Sequence, residues 1–194
     1  MHMTDIREVK KEMRRHYRSL RDNLSDQEKA MLDEKIMRKI TQLWSYREED
    51  LLLTYVSTNS EVDTKELIKY ALNDGKKVAV PRCIDNTRDM DFYLIKSLDD
   101  LERGSFGVME PIRETCEKLE DFSQGLCIVP AIAFDKNGYR LGYGKGYYDR
   151  FLGRFSGRVF GTCYSFCLCN SLPHGKFDRR VTSIVTEKRI IPTT

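Results

Sequence analysis

Hydrophobic positions near the start of the chain recur every three or four residues. Ile6, Val9, Met13, Tyr17, Leu20 and Leu24 fall on one stripe, which predicts an amphipathic helix over residues 5–24. Ser25-Asp26-Gln27-Glu28 has the form of a capping box and starts a second helix that runs to about Trp44, with Leu32, Ile36, Ile40 and Leu43 on one side. The period then changes. Leu51–Val56 is a continuous apolar run of strand length, followed by the polar turn Ser57–Glu61. A helix is predicted from about Val62 to Asn73, ended by Gly75, and then a strand Lys77–Val80 stopped by Pro81. Strand–helix–strand order implies a parallel pair with a right-handed crossover, with ligands taken beyond the carboxyl ends of the strands. Further strands are predicted over Asp91–Ile95, Leu126–Phe134, Arg158–Tyr164 and Ser183–Thr186, and a helix over Tyr147–Phe155. Gly104–Pro111 reads as an irregular loop, and residues 112–125 carry no periodic signal. There is no repeat, low-complexity segment or linker. The pattern therefore predicts one α/β domain over residues 1–194, with three layers, a mostly parallel Rossmann-like sheet and the basic N-terminal helix packed on it.

Composition narrows the class without naming a function. The chain has 194 residues, 40% hydrophobic and 32% charged, which suits a soluble α/β core of moderate size. A net charge of +3 is too small to argue for nucleic acid. No run approaches a membrane span, and the charged residues from Asp5 onward make a signal peptide unexpected. The six cysteines lack a Cys-x-x-Cys spacing, so reduced thiols in a cytoplasm are expected, with Cys163, Cys167 and Cys169 as small buried hydrophobes. The far side of the first helix carries Arg7, Lys10, Lys11, Arg14, Arg15, Arg18 and Arg21. A solvated charged face accounts for such a run, and so does a stripe from which one or two cations reach a phosphate.

The chemistry concentrates in Gly138–Arg150, where four glycines, two arginines, a lysine and four tyrosines share thirteen residues. Glycine opens backbone angles closed to other residues and lets a ligand approach the main chain. Successive N–H groups beside Arg140 and Lys145 suit a polyphosphate. The spacing is neither that of a Walker A loop nor that of a dinucleotide fingerprint. A glycine-rich strand-to-helix turn with no ligand also fits composition alone.

The motif Arg140-Leu-Gly-Tyr-Gly-Lys-Gly-Tyr-Tyr-Asp149 resembles the signature of the 5-formyltetrahydrofolate cyclo-ligase (5,10-methenyltetrahydrofolate synthetase) family. The resemblance spans about Lys10 to Glu187 and is densest over Val129–Leu152. It implies ATP- and Mg²⁺-dependent ring closure of 5-formyltetrahydrofolate to 5,10-methenyltetrahydrofolate, with release of ADP and phosphate. Lys10-Lys-Glu-Met-Arg14 looks like the family's Lys-x-x-Leu/Met-Arg element. The resemblance therefore assigns ATP contacts to Lys10, Arg14, Arg140, Leu141, Gly142, Tyr143, Gly144, Lys145, Gly146, Tyr147 and Tyr148. Lys145, Arg140 and Tyr148 are the implied catalytic residues and Asp149 the metal ligand. The folate falls to Val56, Glu61, Met90 and Phe106 with Tyr143, Gly144, Lys145, Gly146 and Tyr147. Small-molecule substrates, a monomer, and neither a nucleic acid nor a membrane partner complete the expectation.

One departure stands out. Where the family usually has an Asp before its last strand, this chain has Thr182, and a hydroxyl cannot replace a carboxylate at a cation. The metal then relies on Asp149 and the nucleotide, or Asp178 substitutes, or turnover is impaired; a surface turn accounts for Asp178 equally well. A non-catalytic folate or nucleotide binder is the alternative reading. A different α/β enzyme, such as a sugar-phosphate isomerase or acyl-transfer enzyme, fits less well, because no Glu/His acid–base pair is evident and a lysine-bearing phosphate loop would be superfluous.

Overall fold

The computed structural model describes residues 5–58, 60–104 and 107–193. Helix α1 (Ile6–Asp22) is capped by the Asp5 carboxylate, which accepts from the Arg7 N–H. Helix α2 (Asp26–Gln42) forms the capping box in both directions between Ser25 and Glu28. The chain breaks at Leu43, whose extended backbone separates α2 from a short helix α3 (Trp44–Glu48), so the second helix ends two residues before the predicted Trp44.

Strand β1 (Leu51–Thr54), helix α4 (Lys65–Asn73) and strand β2 (Lys77–Cys83) form the predicted crossover unit, with β1 and β2 parallel. β2 runs through Pro81 instead of stopping there. Its pairing with β1 ends at Ala79, so a residue without an N–H is tolerated beyond it. Next come β3 (Met90–Ile95), β4 (Leu101–Arg103), β5 (Met109–Pro111), β6 (Glu117–Lys118) and β7 (Leu126–Pro130). The predicted strand Leu126–Phe134 is broken after Pro130. β8 (Ala133–Asp135) turns away to pair with β9 (Arg140–Leu141). Helix α5 (Tyr147–Leu152) is closed by Gly153, short of the predicted Phe155. The chain ends through β10 (Arg158–Thr162), β11 (Leu168–Cys169), β12 (Ser183–Val185) and β13 (Ile190–Pro192).

Eight strands join in the order β13-β12-β10-β7-β1-β2-β3-β6. The five from β12 to β2 are parallel, flanked by antiparallel β13 on one edge and β3 and β6 on the other. Side chains alternate across a strand, and the two faces lie in two cores. Leu53, Cys127, Val129 and Ala79 pack with Phe134 and Phe151 on one side, and Met13 and Tyr17 of α1 cover that side. Leu52, Ile128, Val78 and Val80 pack with Ile36, Ile40, Leu67 and Ile68 of α2 and α4 on the other. This is the expected mixed α/β architecture with a mostly parallel central sheet. Among the described residues no helix is long and apolar enough to cross a membrane.

The site follows from the strand order. From β1 the chain steps to β2 on one side, whereas β7 and then β10 lie on the other. The reversal falls between β1 and β7, and a sheet of this kind leaves a crevice beyond the carboxyl ends at such a point.

Candidate active site

A cavity of about 590 Å³ opens there. It is bordered by Tyr55 and Val56 after β1, Pro130 at the end of β7, Pro81 and Cys83 of β2, and the loop that leaves β9. The loop residues Arg140, Leu141, Gly142, Tyr143, Gly144, Lys145, Gly146, Tyr147, Tyr148 and Asp149 all line it, together with Lys10 and Arg14 from α1 and with Val56, Glu61 and Met90. These residues come from separate stretches of the chain and meet at one wall system. Phe106 lies outside the described residues.

The turn after β1 is locked by side chains that substitute for backbone pairing. The Ser57 N–H donates to Thr64 Oγ1 at 3.1 Å, the Thr64 N–H returns to Ser57 Oγ at 3.1 Å, and Ser57 Oγ donates to Asp63. Ser, Thr and Asp favour such local bonds over helix, and α4 accordingly starts at Lys65 rather than at the predicted Val62. The turn presents Glu61, which is 6% exposed. One carboxylate oxygen accepts from the Thr58 N–H and hydroxyl, and the other accepts from the Tyr143 hydroxyl at 2.7 Å. Burial first and Glu61 second push the Tyr143 phenol well above its ordinary pKa.

The glycine-rich loop takes left-handed backbone at Gly144 (φ 94°) and Gly146 (φ 79°), conformations that a side chain resists. At Gly144 there is a second constraint, because an added Cβ would stand 3.4 Å from the Arg14 guanidinium. Arg14 itself donates from Nε to the Gly142 carbonyl at 2.8 Å. Burial and the neighbouring Arg18 lower its pKa.

Cations and carboxylates are interleaved along the wall. Arg140, its side chain 5% exposed, meets Asp149 at 2.5 Å, and Asp149 also accepts from the Arg179 N–H. Lys10 meets Asp178 at 2.8 Å, and the same carboxylate oxygen accepts from the Gly175 N–H. Arg140 Nε and the Tyr148 hydroxyl are buried beside the cavity without hydrogen-bond partners among the described residues. Thr182 is not part of this wall. Its hydroxyl and N–H both go to the Val159 carbonyl at the start of β10.

Several cavity residues carried no periodic signal in the sequence, although Glu110 falls in Gly107-Val-Met-Glu-Pro111, which is similar to a segment of the cyclo-ligase family. Thr58 holds Glu61, and Glu110, 4% exposed, accepts from the Cys83 N–H. The absent side chain of Gly104 makes room for Glu110, whose carboxylate would collide with an added Cβ. Burial raises the Cys83 thiol to about 11, with Glu110 adding to the shift, so it is a protonated thiol and not a nucleophile near neutrality. A glutamate in an irregular loop and a cysteine after a proline have no periodicity to mark them.

Residues 6–187 match the 5-formyltetrahydrofolate cyclo-ligase family. A Caenorhabditis elegans protein described as a probable 5-formyltetrahydrofolate cyclo-ligase is 33% identical over 147 residues, which span 72% of this chain and 70% of that one. The Haemophilus influenzae 5-formyltetrahydrofolate cyclo-ligase is 27% identical over 69% of this chain and 72% of its own. The solution structure of Aquifex aeolicus 5,10-methenyltetrahydrofolate synthetase superposes with a TM-score of 0.82 at 34% identity, covering 95% of this chain and 92% of that one.

Proposed function

The chain belongs to the 5-formyltetrahydrofolate cyclo-ligase family and is a ligase of folate metabolism, and we propose that it closes 5-formyltetrahydrofolate to 5,10-methenyltetrahydrofolate at the expense of ATP. The observation that carries this reading is the convergence of four cations, a glycine-rich loop and a buried carboxylate on one cavity of about 590 Å³. That volume is within the range of pockets for small ligands.

A formamide carbonyl is a weak electrophile with a poor leaving group, and phosphorylation of the formyl oxygen answers both difficulties. The formyl oxygen attacks the γ-phosphoryl and ADP departs. N10 then attacks the activated carbon, the C–O bond breaks with phosphate leaving, and N10 gives up its proton. Both nitrogens belong to one molecule, so proximity supplies much of the second step. Charge stabilisation and positioning remain for the protein. Lys145 and Arg140 neutralise the transferred phosphoryl, Tyr148 keeps an unpartnered hydroxyl beside that wall, and Lys10, Arg14 and the loop from Leu141 to Tyr147 hold the nucleotide. Val56, Glu61, Met90, Phe106 and the Tyr143–Tyr147 face hold the folate.

For Mg²⁺ the donor set fits a shared site. Among the described residues no three His, Cys, Asp or Glu side chains gather to hold a metal, which suits an ion held by one or two carboxylates and by substrate phosphates. Asp149 is the proposed ligand and Asp178 its neighbour, both on the cavity wall. When bound, the ion screens phosphate charge and polarises the bond to the leaving group. The proposal places the chain as one domain, monomeric, in the cytoplasm; its six free cysteines suit a reducing compartment.

The test follows methenyltetrahydrofolate absorbance with 5-formyltetrahydrofolate, ATP and Mg²⁺, expecting product that depends on all three. Binding of both ligands with no product at any Mg²⁺ concentration overturns the proposal in favour of a non-catalytic binder.

A further inference from the structure

Arg21 belongs by sequence to the solvated cationic stripe of α1, but the fold buries it. It is 5% exposed, whereas Arg7, Lys11 and Arg15 face solvent. Arg14 and Arg21 stand seven residues apart, two helical turns, and so share a face. Arg14 grips the loop backbone at Gly142, while Arg21 lies beneath the loop and donates from Nη2 to the carbonyl of Ala131, just past β7. Its other terminal nitrogen, Nη1, is buried with no hydrogen-bond partner. No carboxylate forms an ion pair with it among the described residues.

A buried cation without a contact counter-ion is costly unless its surroundings compensate. The Tyr143 and Tyr55 phenols, the Cys167 thiol and Glu61 surround it, and the acidic groups among them favour its charged form over the burial that opposes it; near neutrality the phenols and the thiol, all raised by burial, are uncharged dipoles. Glu61 is the one carboxylate among them. Tyr143 connects the two charges, because its hydroxyl donates to Glu61 at 2.7 Å and Arg21 is near enough to oppose the rise of its pKa. A cation facing the phenol oxygen polarises the O–H and strengthens its donation onward in a low-dielectric setting. Tyr143 is held from outside as well, with the Arg18 guanidinium 5.3 Å above its ring.

We propose that Arg21 is a positioning residue for the folate end of the cavity, acting through the Tyr143 hydroxyl to hold the Glu61 carboxylate oriented before substrate arrives. Thr58 and Tyr143 then occupy one lone pair or more on each Glu61 oxygen. The remaining acceptor directions are left for N–H donors of the substrate. This inference rests on the cyclo-ligase reading.

The test is a double-mutant cycle on the full chain, reading 5-formyltetrahydrofolate binding by calorimetry without ATP, and KM against kcat with it. Arg21→Met is expected to weaken folate binding about tenfold with kcat and the KM for ATP within twofold, and Arg21→Lys to restore most of the loss. In a Tyr143→Phe background the same Arg21→Met change is expected to shift folate affinity less than twofold, because the connecting hydroxyl is gone. Should Arg21→Met fail to fold, Arg21→Lys runs the cycle, with about a threefold loss in the native loop and none in the Tyr143→Phe background. Equal losses in both backgrounds, or native folate affinity in the Arg21 variants, overturn the proposal while leaving the cyclo-ligase reading intact. A wild-type chain that binds no 5-formyltetrahydrofolate overturns both.

Discussion

The Arg140 guanidinium and the Asp149 carboxylate meet at 2.5 Å inside the cavity wall, nine positions apart in one loop. The pair ties the strand β9 to the first turn of α5 across the glycines between them. Removing one member of such a pair leaves the other charge buried and uncompensated, which costs about 3 kcal/mol. Asp149→Asn is therefore expected to lower the urea midpoint as well as turnover. The double change Arg140→Met with Asp149→Leu separates the two effects, because it removes both charges. Recovery of the midpoint without recovery of product formation is the expected result. A double variant as unstable as Asp149→Asn would show that an uncompensated charge is not what destabilises the single variant.

Lys145 sits on the exposed side of the same loop, between two glycines in left-handed backbone. Its proposed work is on the transferred phosphoryl, a charge that develops only during reaction. Lys145→Ala is expected to reduce kcat about a hundredfold or more, the magnitude of losing one charged donor at a transition state. Folate affinity should fall far less than kcat, because Lys145 is one of several residues proposed to hold the folate. Near-normal turnover in this variant would remove the proposed role.

Much of this site is legible in the sequence. The glycine motif, Lys10, Arg14 and Glu61 all lie along the cavity; the family resemblance singles them out, and the hydrophobic pattern predicts the elements near which they fall. The remainder depends on tertiary choices. Arg21 has the same composition and helical spacing as its solvated neighbours, and only the position of Ala131 and Tyr143 above it decides its burial. Strand Leu126–Phe134 reads as continuous because Ala131 and Ile132 are as apolar as their neighbours; the break at Pro130 comes from Ile132 bonding to Leu141. Ile6, counted on the apolar stripe of α1, is 53% exposed because the helix packs on the sheet only from further along.

Thr182 offers a test of where the metal region ends. Its hydroxyl donates to the Val159 carbonyl at 2.8 Å, and it does not line the cavity. Thr182→Asp replaces a donor with a group that repels that carbonyl, at a cost of about 1–3 kcal/mol. The Mg²⁺ concentration for half-maximal turnover is expected to be unchanged, measured on the folded fraction. A lower half-saturating Mg²⁺ would place residue 182 within reach of the ion.

Asp178 links stability to pH at the cavity mouth. Burial opposes its charge, but Lys10 at 2.8 Å, the Gly175 N–H and the field of Arg140 outweigh it and hold the carboxyl below its ordinary 3.8. A depressed carboxylate means that the folded chain binds fewer protons than the unfolded chain between the two values. Its contribution is therefore complete above the unfolded value and is lost as pH falls through the lower, folded one. With both side chains partly exposed, at 19% and 27%, the pair contributes about 1 kcal/mol. Urea denaturation of the wild type and Asp178→Asn should differ by that amount near neutrality and converge as pH falls through the folded value. The same substitution leaves Lys10 unpaired, so ATP affinity measured without Mg²⁺ should rise. A stability gap that persists undiminished into acid would mean that packing, and not the Lys10 ion pair, is what Asp178 supplies.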